Sequence, residues 1–384
     1  MRSMVIRGFL SLALAVALLS PASGAQRQAT APGPVQTSTF ASLVTKLSEP
    51  GGDFGADNLI SNEQSYLRVL PALTRAGVTG GAYVGVGPDQ NLSYIAHVKP
   101  AVAFLIDIRR DNLLLHLLFK AIFAVSPTRI EYLCALTGRA PPVKPETWAT
   151  ASVDKVAAFI DGAPAMGSAE QRALRARLET TMKATGVSLD AGDLARIAEF
   201  HREFIDAGLS LVFQARGRPP SGYYPSLRTL IGETDGAGRQ ASFLAIESGY
   251  QFVRSLQQRD LIVPVVGDVS GPRAMSAIAA EMTARGTPLS AFYMSNVEQY
   301  LFQDGRFPAF VENLKRFPRT DRSTIIRSVF PSGFRGVLPQ STGDSYSTSL
   351  IQGLAAMLHD LAAGRYRNYA DLVIASSKNP APKE

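Results

Sequence analysis

Four short apolar runs, each followed by a turn and an amphipathic stretch, set the rhythm of this chain. Ala82–Val86, Ala101–Asp107, Leu261–Val266 and Ser290–Ser295 are apolar at nearly every position. That is the pattern of strands buried on both faces of a parallel sheet, not the alternation of a half-exposed one. Ser323–Phe330 adds a fifth run, and apolar residues at helical spacing fill Leu92–Val98, Asn112–Phe123, Phe243–Gln257, Pro272–Ala284 and Phe307–Arg316. Strands alternating with helices predict an α/β fold, a doubly wound and mostly parallel sheet joined by right-handed crossovers. From Pro141 to about Phe213 the pattern is helical throughout, which predicts a helical insertion between strands two and three over about residues 139–215.

Start signals sharpen several of these elements. Ser61 with Gln64, and Ser168 with Gln171, have capping-box spacing, and Ser126-Pro127 suits a cap followed by a first-turn proline. The helix opened by Ser61 carries Tyr66, Leu67, Leu70 and Leu73 and ends at Gly77; a shorter one spans Phe40–Leu47. Residues 216–240, rich in proline and glycine, read as a long loop, and loops of that length in compact domains are often functional. The fold domain is expected over 39–376, with a polar tail over 377–384.

The amino terminus changes the picture of where the protein works. Arg2 and Arg7 precede an apolar run from Phe9 to Leu19, and Ser23-Gly24-Ala25 supplies small residues for cleavage, so residues 1–25 read as a secretory signal. The apolar run is shorter than the roughly 18 residues a membrane span needs. Residues 26–38 read as a flexible tether. A secreted or periplasmic protein without a stable membrane anchor is expected.

Composition excludes more than it assigns. The 384 residues are 46% hydrophobic and 18% charged, enough for a large core. The net charge of +7 falls to +5 without the two leader arginines, and the basic residues are scattered, so nucleic-acid binding is not expected. Cys134 is the one cysteine, in an apolar helical pattern, which leaves no internal disulfide and no cysteine-based zinc site. No metal site is expected, and no GxSxG, HExxH or GxxxxGK[ST] motif is present.

Candidate chemistry gathers at the carboxyl ends of the predicted strands, where open α/β sheets bind ligands. Gly85 and Gly87 follow the first strand and let the backbone approach a ligand, with the next helix offering free N–H groups to negative charge. Asp107 ends the second strand twenty residues after Gly87, placed to accept hydrogen bonds from ribose hydroxyls. Asp268 lies at the end of the third strand, where a ligand contact and helix capping are both in keeping. Asn296 and Glu298, spaced around Val297, are expected to face the crevice together, and Tyr223 and Tyr224 are candidates to stack on a flat ligand. Glu63-x-x-Tyr66-x-x-Val69 is echoed by Glu247-x-x-Tyr250-x-x-Val253, which would set Glu and Tyr at matching places on the same crevice, though chance also supplies such a match.

The order Gly85-Val86-Gly87, Asp107, Asp268, Asn296 resembles class I S-adenosylmethionine-dependent methyltransferases. The phrases GGAYVGVGPDQN, FLIDIRRDN, VPVVGD and FYMSNVEQYLFQDG are similar to those of an uncharacterised bacterial family with such a domain. The resemblance implies S-adenosylmethionine as cofactor, with Gly85 and Gly87 near its amino-acid part, Asp107 on the ribose, Asp268 near adenine, and Asn296 with Glu298 at a small-molecule substrate. The chain departs from the methyltransferase pattern at Tyr83, where an acid is usual, and at Asp89, where a third glycine is usual. The usual terminal antiparallel hairpin is not evident after Phe330, and export would part the protein from a cytoplasmic methyl donor. The competing expectations are a divergent or non-catalytic exported binding protein using the same crevice, and a nicotinamide oxidoreductase, for which Gln90 stands where a third glycine belongs.

Overall fold

A computed structural model of the chain describes residues 39–378 apart from 57, 216–221, 331–332, 335–337 and 339–345. The expected leader and tether over 1–38, Pro219 and Pro220 of the long loop, and residues 379–384 of the expected tail lie outside the described residues.

The strands are β1 (Ala82–Val86), β2 (Val102–Asp107), β3 (Ile262–Val266), β4 (Leu289–Tyr293), β5 (Arg319–Val329) and β6 (Thr348–Gly353). They form one sheet in the order β3-β2-β1-β4-β5-β6. The first five run parallel and β6 runs antiparallel to β5. Every residue of β1, β3 and β4 is buried, which is why those runs are continuously apolar. The helices α1 (Phe40–Leu47), α2 (Leu70–Arg75), α3 (Gln90–Val98) and α4 (Arg110–Val125) come first. Then follow α5 (Arg129–Thr137), α6 (Val153–Gly162), α7 (Ser168–Ala184), α8 (Ala191–Ala207), α9 (Leu227–Ile231) and α10 (Glu247–Gln258). The chain closes with α11 (Ala274–Ala284), α12 (Val297–Gln303), α13 (Phe307–Lys315), α14 (Leu354–Ala362) and α15 (Tyr369–Lys378).

Helices α4 to α10 therefore lie between β2 and β3 in the chain, as the helical pattern predicts. Their anchor is α4, buried from Asn112 through Phe123. It packs on β2 and β3 on one side and on α7, α8 and α10 on the other, so it is apolar nearly all round. By contrast α7 buries only Leu174, Leu178 and Met182, four residues apart, and leaves its polar face to solvent. Cys134 is buried in α5, and burial pushes its thiol up to about 12, consistent with an inert core residue.

Three expectations are corrected. Residues 61–69 form turns, and helix begins only at Leu70. Their backbone donors are taken by distant side chains: Gln64 N–H by Ser347 Oγ at 2.7 Å and Ser65 N–H by Glu233 Oε2 at 3.1 Å. The box around Ser168 is shifted, because Gly167 N–H donates to Glu170 and Ser168 is already helical; likewise Thr128 with Glu131, two residues past Ser126, caps α5. An antiparallel strand does follow β5, since β6 pairs with it from Thr348 to Gly353, and α14 and α15 follow. Polar residues disguise β6: buried Gln352 accepts from Arg327 of β5 at 3.0 Å and donates to Tyr366 at 2.7 Å.

Candidate ligand crevice

The two glycines of the first turn do different work. Gly87 has φ +83°, which disfavours any residue with a Cβ, and it lines a crevice at the carboxyl ends of β1 to β4. Gly85 lies within β1, where an added Cβ would sit 1.9 Å from Asn91 Oδ1. It clears space for Asn91, whose Nδ2 donates to the carbonyls of Val86, Gly87 and Pro88 at 2.9, 3.2 and 2.8 Å. Tyr83 hydroxyl donates to Asn91 Oδ1 at 2.8 Å, so the tyrosine at the position where an acid is usual serves to fasten the turn. His116 Nε2 lies 3.0 Å from the Gly87 carbonyl, and burial lowers the ring to about 4, so the neutral Nε2–H tautomer donates.

The two strand-end aspartates are fixed by arginines. Asp107 Oδ1 accepts from Arg109 N and Nε at 2.9 and 3.1 Å, and its Oδ2 accepts from Nη2 at 2.9 Å. Arg109 is itself buried and donates to the Ala56 carbonyl at 3.0 Å. Asp268 Oδ1 accepts from Ser270 N and Oγ at 2.8 and 2.7 Å, and its Oδ2 from Arg306. Burial opposes the charge of Asp268, yet these bonds hold its carboxyl below the ordinary range. Asp268 does not cap α11. Glu49 does, accepting at Oε2 from Arg273 N and Ala274 N at 3.2 and 3.1 Å and at Oε1 from Asp268 N at 2.9 Å. It arrives on a strap, Ser48–Gly52, pinned across the ends of β3 and β2 by Glu49 N to Val266 O (2.9 Å) and Gly52 N to Ile108 O (2.8 Å).

At β4 the chain turns straight into α12 through Ser295 and Asn296. Because Val297 is already helical, Asn296 and Glu298 do not share a face: Asn296 lines the crevice and Glu298 does not. Fully buried Glu298 accepts from Arg327 Nε and Nη2 at 2.5 and 3.0 Å. Tyr223 and Tyr224 also lie outside the lining. Tyr223 stacks on Tyr346 with centroids 5.9 Å apart, and Tyr224 meets Phe213 and Tyr346 edge-on, so both pack the loop down against the segment that leads into β6. The echo of Glu63 fails as well, since Glu247 pairs with Arg129 at 3.5 Å.

The structure thus brings Gly87, Asp107, Asp268 and Asn296 around one cavity of about 260 Å³ and leaves Gly85, Glu298, Tyr223 and Tyr224 out of its lining. The lining is acidic: Asp53, Asp107, Asp268 and Asp304 stand against one cation, Arg306. Phe54 and Tyr300, in edge-to-face contact at 5.4 Å, supply its aromatic wall. Beside the turn, burial pushes Asp89 up to about 7, and its Oδ1 has no hydrogen-bond partner among the described residues.

Sequence reasoning noticed the group beneath this floor only as half of an echo and did not foresee its partners. Glu63 is fully buried, and its carboxylate accepts from three hydroxyls, those of Tyr293, Ser295 and Ser328. Burial drives its pKa upward and the three hydroxyls only partly offset that. The available signal was an acid in a segment otherwise committed to the core, Ile60 and Tyr66–Leu67 being buried around it.

The chain belongs to the family defined by the domain of unknown function DUF7790, whose sequence profile matches residues 59–380. That description assigns no reaction. No curated protein matches the chain.

Proposed function

We propose that this DUF7790 protein binds an adenosyl nucleoside of cationic character in the crevice, S-adenosylmethionine foremost, and transfers its methyl group to a small molecule. The observation that carries the reading is the strand order, which gathers the Gly87 turn, Asp107, Asp268 and Asn296 at one cavity. In this reading Asp107, oriented by Arg109, accepts from ribose hydroxyls and Asp268 lies towards adenine. The charge balance supports a sulfonium over a dinucleotide: four aspartates against two arginines, Arg109 on Asp107 and Arg306 on Asp268, suit a cation and repel two phosphates. Gln90 in place of a third glycine weighs the same way.

A second reading, a divergent exported binding protein in the same crevice, is favoured by Tyr83 fastening the turn and by Asp89 buried beside it. Titration calorimetry of residues 26–384 with S-adenosylmethionine, its demethylated product, NAD and NADP separates the two. The methyltransferase reading expects the demethylated product to bind, NAD and NADP to give no heat, and Asp107→Asn to weaken binding at least tenfold, about 1.4 kcal/mol. Absence of heat from every nucleoside, with the chain folded, removes methyl transfer and leaves the divergent binder. Recovery of an uncleaved chain from the cytoplasm removes export.

A further inference from the structure

We infer that Ser295 is a nucleophile and Glu63 its general base, and that the crevice therefore supports acyl transfer: cleavage of a carboxylic ester whose leaving group is hydroxylated or cationic.

The backbone gives the first observation. Ser295 has φ +51°, a left-handed conformation that is strained for serine, at the corner where β4 passes into α12. A sharp strand-to-helix corner of this kind lifts a side chain off the sheet edge into a crevice, whatever residues flank it, and Ser295 lines the cavity. The strain is held by neighbours on both sides, Met294 N donating to Ile326 O and Ser328 N to Ser295 O, each at 2.8 Å.

The second observation is the carboxylate behind it. Ser295 Oγ donates to Glu63 Oε1, while Tyr293 hydroxyl and Ser328 Oγ donate to Oε2. Gln90 Nε2 donates to Tyr293 hydroxyl at 3.0 Å and holds that donor in turn. This is a nucleophile on a base that further groups orient. Around the crevice Asp107, Asp268 and Glu298 are each paired with an arginine, whereas Glu63 has no cation partner among the described residues. Burial raises its affinity for a proton, the direction that makes a carboxylate a stronger base.

The step balances on groups present plus water. Ser295 Oγ bonds to the acyl carbon as its proton passes to Glu63 Oε1. Collapse of the tetrahedral adduct breaks the carbon–oxygen bond of the ester, and the leaving oxygen takes the proton back. Water then attacks the acyl-serine, gives a proton to Glu63, and releases the acid while Ser295 recovers its proton. The acidic lining favours a hydroxylated or cationic leaving group: Asp53, Asp107, Asp268 and Asp304 line the cavity, Asp107 and Asp268 each already held by an arginine. Tyr293 and Ser328 are positioning residues.

The test uses a fluorophosphonate probe on the chain from residue 26, with the adduct located by peptide mass spectrometry. The expected result is modification of Ser295 that is fast in the native protein and absent in urea-unfolded protein, slowed about 100-fold by Glu63→Gln. Its rate should rise with pH through one ionisation above the ordinary carboxyl range. No adduct at Ser295, equal rates in native and unfolded chains, a flat pH profile, or full-rate labelling of folded Glu63→Gln each overturns the inference. If Glu63→Gln fails to fold by near-ultraviolet circular dichroism, the wild-type pH profile and the native-to-unfolded ratio decide. Labelling without nucleoside binding leaves this inference standing and removes methyl transfer; nucleoside heat without labelling does the reverse.

Discussion

The two sides of the crevice handle buried negative charge in opposite ways. Towards β2 and β3, Asp107 and Asp268 each face an arginine, and the Gly87 turn is fastened by Asn91. Towards β4 and β5, Glu63 faces only hydroxyls. An arginine fixes a carboxylate in direction, so the first side is a cradle of constant shape. Hydroxyls satisfy the oxygens without neutralising them, so the second side is free to take up or release a proton. The lesson is that hydrogen-bond satisfaction and charge compensation are separate properties, and reactivity follows where the first is met without the second.

Glu298→Gln tests the paired extreme and carries the largest expected effect. It leaves Arg327 buried without a counter-charge and should cost about 3–5 kcal/mol in urea denaturation; a loss near zero would break the distinction. Asp89→Asn comes next. Asp89 is raised from 3.8 to about 7 in the fold, so its folded form holds a proton that the unfolded chain releases, and stability is lost as pH rises across that window, by roughly 4 kcal/mol at most. His116, lowered from 6.5 to about 4, acts oppositely, since its contribution is lost as pH falls through that range. The variant loses the Asp89 slope and keeps the others, so unfolding measured at pH 4.5 and 7 should show it gaining on wild type as pH rises; a gap that does not move sinks the assignment. Glu63→Gln is the smallest. The amide keeps one acceptor oxygen and turns the other atom into a donor, which a serine hydroxyl can meet by rotating to accept, so its stability should lie within about 2 kcal/mol of wild type. Because the Glu63 carboxyl is raised, the wild type loses ground above the ordinary carboxyl range, and the variant should compare better at pH 8 than at pH 5 in paired urea melts.

How much of this was legible depended on whether a residue's role is local. The parallel strands and the insertion were, because burial on both faces leaves an unbroken apolar run and a packed helix leaves its period. Gly87, Asp107, Asp268 and Asn296 were also legible, because strand ends collect in any open sheet. Glu298 was not: one residue of difference in where α12 begins decides whether it faces ligand or core. Strand β6 was hidden because Gln352 is buried against Arg327 and Tyr366 and Ser349 against Tyr94, a satisfaction visible only across the fold. Glu63 was hidden for the same reason, its three donors lying 230 to 265 residues downstream.

Glu49 adds a matter of timing. Its partner on α11, Ala274, follows it by 225 residues, so at about 5–20 residues per second of synthesis the carboxylate precedes the amides it caps by roughly 10 to 45 s. Through that interval the strap has neither β3 nor α11 to rest on. When α11 emerges, its cap is already in the chain, and the wall of the crevice is completed by the arrival of the helix. The hydroxyls around Glu63 come later still, with β4 and β5, so the reactive side of the crevice is the last part of the cavity to exist.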